Sequence, residues 1–230
     1  MKVGVLLLSA GSGQRFGSAI PKQYLEVSGK PLILHTLNSL AQESRIAVVQ
    51  PVIGSQDVWY DDAVAGQSWG FELLAPVQGG AERSMSMQLG LAALPDDIDM
   101  VAVHDAARAL PSQPLLRDVL DVAQVHGAAV PGLAVHDTIK RIDSQGKVLE
   151  TPDRSSLMAV QTPQVAWRDW FIAALEQEKE RLHLHTDDAS VLEAAGFDVY
   201  ISQGDVDNRK VTTPDDMLWL EDRLKMRGIT

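Results

Sequence analysis

With 230 residues the chain has room for one sizeable α/β core, and two full domains would be cramped. A formal net charge of −11 argues against an extended nucleic-acid or membrane-surface footprint, which needs a basic face, so any bound phosphate must be gripped locally. The lack of cysteine removes disulfides, thiolate metal sites and a Cys nucleophile.

The first apolar run, residues 3–8, is too short for a membrane span and is cut off too abruptly by Ser9-Ala10-Gly11-Ser12-Gly13 for a secretory signal. A cytoplasmic protein is therefore expected. Further strands are predicted at residues 46–52, 71–74, 100–104 and 128–133, with helices at 32–42, 82–94 and 113–126 between them. This alternation predicts a Rossmann-like α/β fold: a mainly parallel twisted sheet with helices on both faces. The unbroken apolar character of residues 3–8 and 100–103 marks strands buried on both sides, whose carboxyl ends border a ligand crevice.

The alternation breaks at residues 137–153, where two short polar-apolar stretches flank Ser144-Gln145-Gly146; the pattern is that of a β-hairpin. A lone hairpin is marginal, so this one is expected to pack on something else, such as a second subunit. A strand near 159–161, helices at 167–181 and 187–195, and a strand at 199–202 follow. The last helix has the clearest start: Thr213 as N-cap, Pro214 in the first turn, Asp215 and Asp216 against the dipole, and Met217, Leu220 and Leu224 on one face.

Chemistry concentrates where the first strand ends. Ser9-Ala10-Gly11-Ser12-Gly13-Gln14-Arg15-Phe16-Gly17 is followed by Pro21-Lys22-Gln23-Tyr24. Glycines after a buried strand let backbone N–H groups approach a phosphate, and Arg15 and Lys22 supply the charge a triphosphate demands. The plainer alternative is a Gly-rich turn with two solvated cations. A dinucleotide fingerprint would need a third glycine at Phe16, and no Walker Gly-Lys-Ser/Thr is present.

Downstream come Gly79-Gly80-Ala81-Glu82-Arg83-Ser84-Met85-Ser86, His104-Asp105-Ala106-Ala107-Arg108, Asp137-Thr138-Ile139-Lys140-Arg141, Gln161-Thr162-Pro163-Gln164 and Asp207-Asn208-Arg209-Lys210-Val211-Thr212. With the first loop and its Pro-Lys-Gln-Tyr sequel, these blocks resemble, in the same order and over nearly the whole chain, the 2-C-methyl-D-erythritol 4-phosphate cytidylyltransferases. On its own chemistry, the Gly79-Gly80 pair permits close backbone approach to a planar base and Ser86 offers a hydroxyl, although a plain turn and a surface serine fit the same residues; Asp105 ends a buried strand at the crevice. Arg108, three residues on, could simply neutralise Asp105.

The resemblance implies transfer of CMP from CTP to a sugar-alcohol phosphate, with release of pyrophosphate. It implies nucleotide contacts from Ser9, Ala10, Gly11, Gly13, Gly80, Arg83, Ser86, Asp105 and Ala106. It implies acceptor contacts from Asp105, Arg108, Thr138, Arg154, Thr162 and Lys210, and catalytic roles for Arg15, Lys22, Arg154 and Lys210. It further implies that residues 137–154 form a β-arm exchanged in a homodimer, the rest of residues 1–230 forming one nucleotidyltransferase domain, and that Thr138 and Arg154 complete the neighbouring site. The reaction calls for Mg2+ or another divalent cation, held mainly by the nucleotide, with Asp105 the one candidate protein ligand. Neither nucleic acid nor membrane is an expected partner.

Arg209 stands where the resemblance leads one to expect an apolar residue. His183 and His185, beside Asp187 and Asp188, are read as a solvated loop and helix cap rather than a metal site, and the five tryptophans as packing residues. The nearest rival activity is a pentitol-phosphate cytidylyltransferase, such as one acting on ribitol 5-phosphate. A dinucleotide-dependent oxidoreductase and a non-catalytic nucleotide sensor are the rivals from other classes.

Overall fold

The computed structural model describes residues 1–11, 16 and 20–229. The candidates Gly13 and Arg15 lie outside the described residues.

The first apolar run forms β1 (Val3–Ser9), and a short hairpin of β2 (Glu26–Val27) and β3 (Lys30–Pro31) leads into α1 (Leu32–Leu40). Then come β4 (Ile46–Ile53), α2 (Tyr60–Val64), β5 (Glu72–Leu73), β6 (Val77–Gln78) and α3 (Arg83–Ala93). The middle of the chain holds β7 (Met100–Asp105), α4 (Gln113–His126), β8 (Ala128–Ala134), β9 (Arg141–Ile142), β10 (Val148–Glu150) and β11 (Met158–Val160). It closes with β12 (Gln164–Trp167), α5 (Arg168–Gln177), α6 (Asp188–Ala194), β13 (Tyr200–Gln203) and α7 (Pro214–Met226).

The main sheet runs β13, β8, β12, β7, β1, β4; β11 lies on the β12 side of β8, and β5 and β6 pair the outer side of β4. It is mainly parallel, as expected. Strands β11 and β12 are the antiparallel exceptions, with β12 inserted between β7 and β8. The sequence reading missed β12: four residues after Pro163 were too few to separate from the helix that follows. The strand expected at 71–74 forms as the shorter β5, and β6 was not anticipated.

Side-chain alternation along β1 divides the core. Val3, Val5 and Leu7 pack with α1 and α4 on one face, whereas Leu6 joins Met87 of α3, Phe171 of α5 and Leu192 of α6 on the other. A third cluster seats Leu220 and Leu224 of α7 against Leu32, Leu110 and Val211. At the end of α4, Gly127 has φ 99°, and a Cβ there would fall 1.9 Å from the Trp170 ring, so only glycine lets α5 dock at this point.

The predicted hairpin exists, with its ladder slightly shifted: Arg141 and Ile142 pair with Glu150 and Val148. Asp143 closes the turn by accepting from the Gln145 and Lys147 amides at 2.9 Å. This two-stranded unit is separate from the main sheet and exposes Ile142, Val148 and Leu149. Among the described residues no helix is long and apolar enough to cross a membrane.

Candidate active site

The carboxyl ends of β1 and β7 form the floor of a cleft of about 470 Å³, lined by Ser9, Ala10 and Gly11 on one side and Asp105 and Ala106 on the other. This is where a parallel sheet presents its ligand crevice. The Ala106 amide donates to the Leu8 carbonyl at 3.0 Å, carrying the β1–β7 register into the floor.

One wall is the single 3-10 turn Lys22–Tyr24. Buried Gln23 donates to the Ser9 carbonyl at 2.8 Å, and the Tyr24 hydroxyl donates to Asp57 Oδ2 at 2.5 Å, so the turn is fixed at both ends. Burial, reinforced by that bond to Asp57, pushes the Tyr24 phenol well above its ordinary range, so it stays a donor. Lys22 Nζ, which lines the cleft, donates to the Val211 carbonyl at 2.7 Å, and the Val211 amide reaches Ala107 at 2.8 Å. The Pro-Lys-Gln-Tyr block and the Lys210 block thus meet at one wall.

The opposite wall is Gly80 with the first turn of α3. A Cβ on Gly79 would lie 2.8 Å from Ser86 Oγ and 2.7 Å from Ala10 Cβ, which explains the glycine there. The Ser86 hydroxyl accepts from the Gly80 amide at 3.2 Å and donates to the Glu82 carbonyl at 3.1 Å, which ties the glycine pair to the first turn of α3.

Asp105 is the electrostatic centre. Arg83 pairs with its Oδ1, Lys210 Nζ lies 2.8 Å from its Oδ2, and Arg108 Nε stands 3.7 Å away. Burial alone would raise this carboxyl, but Arg83 and then Lys210 outweigh it and hold it well below the usual carboxylate range. Arg108 directs its other end to the Asn208 carbonyl at 2.7 Å, so its partial ion pair with Asp105 is only one of two tasks.

His104, fully buried, is held neutral: desolvation drives its pKa down to about 4 despite the neighbouring Asp105. Its Nδ1 lies 3.0 Å from Thr162 Oγ1 and its Nε2 3.1 Å from the Arg108 carbonyl. With Nε2 protonated, His104 donates to that carbonyl and receives the Thr162 proton, leaving Thr162 Oγ1 to accept from the Asp105 amide at 3.1 Å. Thr162 is buried, and this network occupies its hydroxyl.

Thr138 and Arg154 sit apart from this cleft: both are exposed, and Arg154 donates to the His136 carbonyl at 2.9 Å. Arg209 has its own account, pairing with Asp216 at 2.5 Å and lying 5.5 Å over the Trp219 ring. His185 faces buried Glu178 at 3.1 Å, and no cluster of three or more potential metal ligands occurs among the described residues.

Sequence reasoning missed Asp188, read as part of a helix cap. Asp187 is the cap, in a capping box with Ser190, whereas Asp188 turns inward and receives Arg83 at 2.6 and 3.2 Å. It missed Asn208 as well, which is buried and donates to the Thr162 carbonyl at 2.7 Å, tying the Lys210 block to the Thr162 block. No local signal marked either: Asp188 opens α6 directly after its cap, and Asn208 lies in the irregular segment that follows β13.

Comparisons with known proteins agree with this architecture. A bifunctional enzyme IspD/IspF of Rhodopseudomonas palustris is 39% identical over 97% of this chain, which spans 56% of that relative's length. A 2-C-methyl-D-erythritol 4-phosphate cytidylyltransferase of Symbiobacterium thermophilum is 40% identical, covering 93% of this chain and 89% of the relative. The crystal structure of 4-diphosphocytidyl-2C-methyl-D-erythritol synthase from Anaerococcus prevotii superposes with a TM-score of 0.84 at 25% identity, over 97% of this chain and 98% of that one. The family model for IspD, 2-C-methyl-D-erythritol 4-phosphate cytidylyltransferase, matches residues 3–225. By its fold and by this match over nearly the whole chain, the chain belongs to the 2-C-methyl-D-erythritol 4-phosphate cytidylyltransferase family.

Proposed function

We propose that the chain transfers CMP from CTP to 2-C-methyl-D-erythritol 4-phosphate, giving 4-diphosphocytidyl-2-C-methyl-D-erythritol and pyrophosphate. The observation that carries this is the convergence of Lys22, Arg83 and Lys210 on one cleft at the end of β1, whose wall includes Gly80 and Ser86. The family match supports methylerythritol phosphate over a pentitol phosphate as acceptor.

A phosphate oxygen of the acceptor attacks the α-phosphorus in line. The new P–O bond forms as the α–β bridge breaks, and pyrophosphate leaves with the electron pair. The nucleophile is already anionic, so no general base is required, in keeping with a neutral, buried His104. The protein's task is to hold two anions together and stabilise charge at phosphorus. Lys22, with Arg15, serves the triphosphate; Lys210 moves from Asp105 to phosphate when ligand arrives.

Mg2+ belongs to the same proposal. It commonly takes one or two carboxylates and otherwise water and phosphate oxygens, and Asp105 at the crevice floor fits that pattern as the single protein ligand. When bound, the ion would neutralise charge on the departing pyrophosphate.

The arm is read as an exchanged element of a homodimer. Thr138 and Arg154 stand away from their own cleft while the hairpin exposes apolar side chains, which supports their service to a partner's site. The reaction is read as a cytoplasmic one.

The test is pyrophosphate release by purified protein with CTP and 2-C-methyl-D-erythritol 4-phosphate, with and without Mg2+. Release that needs all three is expected. Release without the acceptor, or none with it, overturns the proposal.

A further inference from the structure

We infer that Asp188 is a positioning residue for the nucleotide half of the site, acting through Arg83; this rests on the reading of the cleft as a CTP site. Arg83 opens α3 and lines the cleft, but its guanidinium is not free to swing. One nitrogen pairs with Asp105, while Nε and the other terminal nitrogen both reach Asp188 Oδ2, at 3.2 and 2.6 Å. Two carboxylates from elements far apart in the chain therefore fix the plane of one cation.

Asp188 has no other task in view. The capping of α6 is done by Asp187 with Ser190. Asp188 is 1% exposed, and its Oδ1 finds no hydrogen-bond partner among the described residues. A buried ion pair is a poor way to gain stability, since desolvation costs about as much as the attraction returns. Its position is itself reinforced: Gln164 of β12 accepts from the Ala189 amide and donates to Asp187, both at 2.8 Å, which anchors the start of α6 to the sheet. The path from β12 through α6 to Arg83 is hydrogen-bonded at each joint.

Charge bookkeeping gives the test a sign. Burial pushes the Asp188 carboxyl up and Arg83 opposes that shift; with the ion pair formed, removing the Asp188 charge leaves the cleft one unit more positive, so pure electrostatics would tighten binding of a triphosphate. Positioning demands the reverse, because Arg83 is then tethered on one side only.

The experiment measures steady-state kinetics of Asp188→Asn, Arg83→Gln and the double variant, with CTP and methylerythritol phosphate varied separately. Asp188→Asn should raise KM for CTP about tenfold and leave KM for the acceptor within about twofold. In the Arg83→Gln background the same change should add less than about twofold, because contacting residues acting as one unit are non-additive. Unchanged or tighter CTP use by Asp188→Asn overturns the inference, as does an equal penalty in both backgrounds. If Asp188→Asn does not fold, Arg83→Lys reads the same geometry: the charge stays but the fork is lost, and a wild-type KM for CTP there overturns the inference. A wild-type protein that releases no pyrophosphate refutes the CTP reading and this inference together, whereas an active wild type with indifferent variants refutes this inference alone.

Discussion

His104 and Asp105 are neighbours in one strand, yet burial gives them opposite electrical characters. The imidazole meets carbonyl and hydroxyl partners and stays neutral, while the carboxylate meets cations and stays charged. Lys22 is the side chain in this cleft on which the reaction should depend most. Lys22→Ala is expected to lower turnover at saturating CTP by about 10²–10³, the loss seen when one preorganised donor to a transition state is removed. Wild-type turnover in that variant would take Lys22 out of the mechanism. At this scale the sequence was informative wherever function sits at a strand end. Asp105, Gly80 and Lys22 follow apolar runs or glycines, and punctuation of that kind is local. Asp188 was illegible because its partner Arg83 is 105 residues away, and nothing in Thr186-Asp187-Asp188 separates a cap from an inward carboxylate.

Among the elements, α7 shows how much a helix start can hold. Asp216 Oδ2 accepts from the amides and hydroxyls of both Thr212 and Thr213, at 2.8–2.9 Å, and Arg209 approaches its other oxygen. Burial pushes this carboxyl up, but the hydrogen bonds from Thr212 and Thr213 prevail and bring its pKa from 3.8 to about 2. Its stabilising contribution is therefore full above the unfolded value and is lost as pH falls through about 2. Asp216→Asn should cost about 2 kcal/mol at pH 7 in urea denaturation. The deficit should shrink between about pH 4 and pH 2, and a pH-independent deficit would contradict the account. The start of this helix was fully legible from Thr213-Pro214, since capping chemistry is local. Strand β12 was not, because its assignment depends on β7 and β8 lying either side of it.

For the whole molecule, the decisive question is whether each cleft is completed from outside its own chain. If the arm is exchanged in a homodimer, Arg154→Ala on one chain and Lys22→Ala on its partner fall in the same cleft of a mixed dimer. One cleft then holds both defects and the other holds neither. Co-expression of the two inactive variants should restore about a quarter of wild-type activity, since random pairing makes half the dimers mixed, with one sound site each. Activity no higher than the mean of the two variants alone would show that each chain supplies its own Arg154.

The reversed direction of β12 has a consequence for how such a protein can change over time. A strand running against its neighbours delivers its entry, not its exit, to the reacting edge of the sheet, so the excursion from β8 through the hairpin leaves and returns on that side. Lengthening, trimming or retyping this detour changes what stands at that edge of the sheet while the hydrophobic layers beneath keep their register. New clientele can be tried there without rebuilding the foundations.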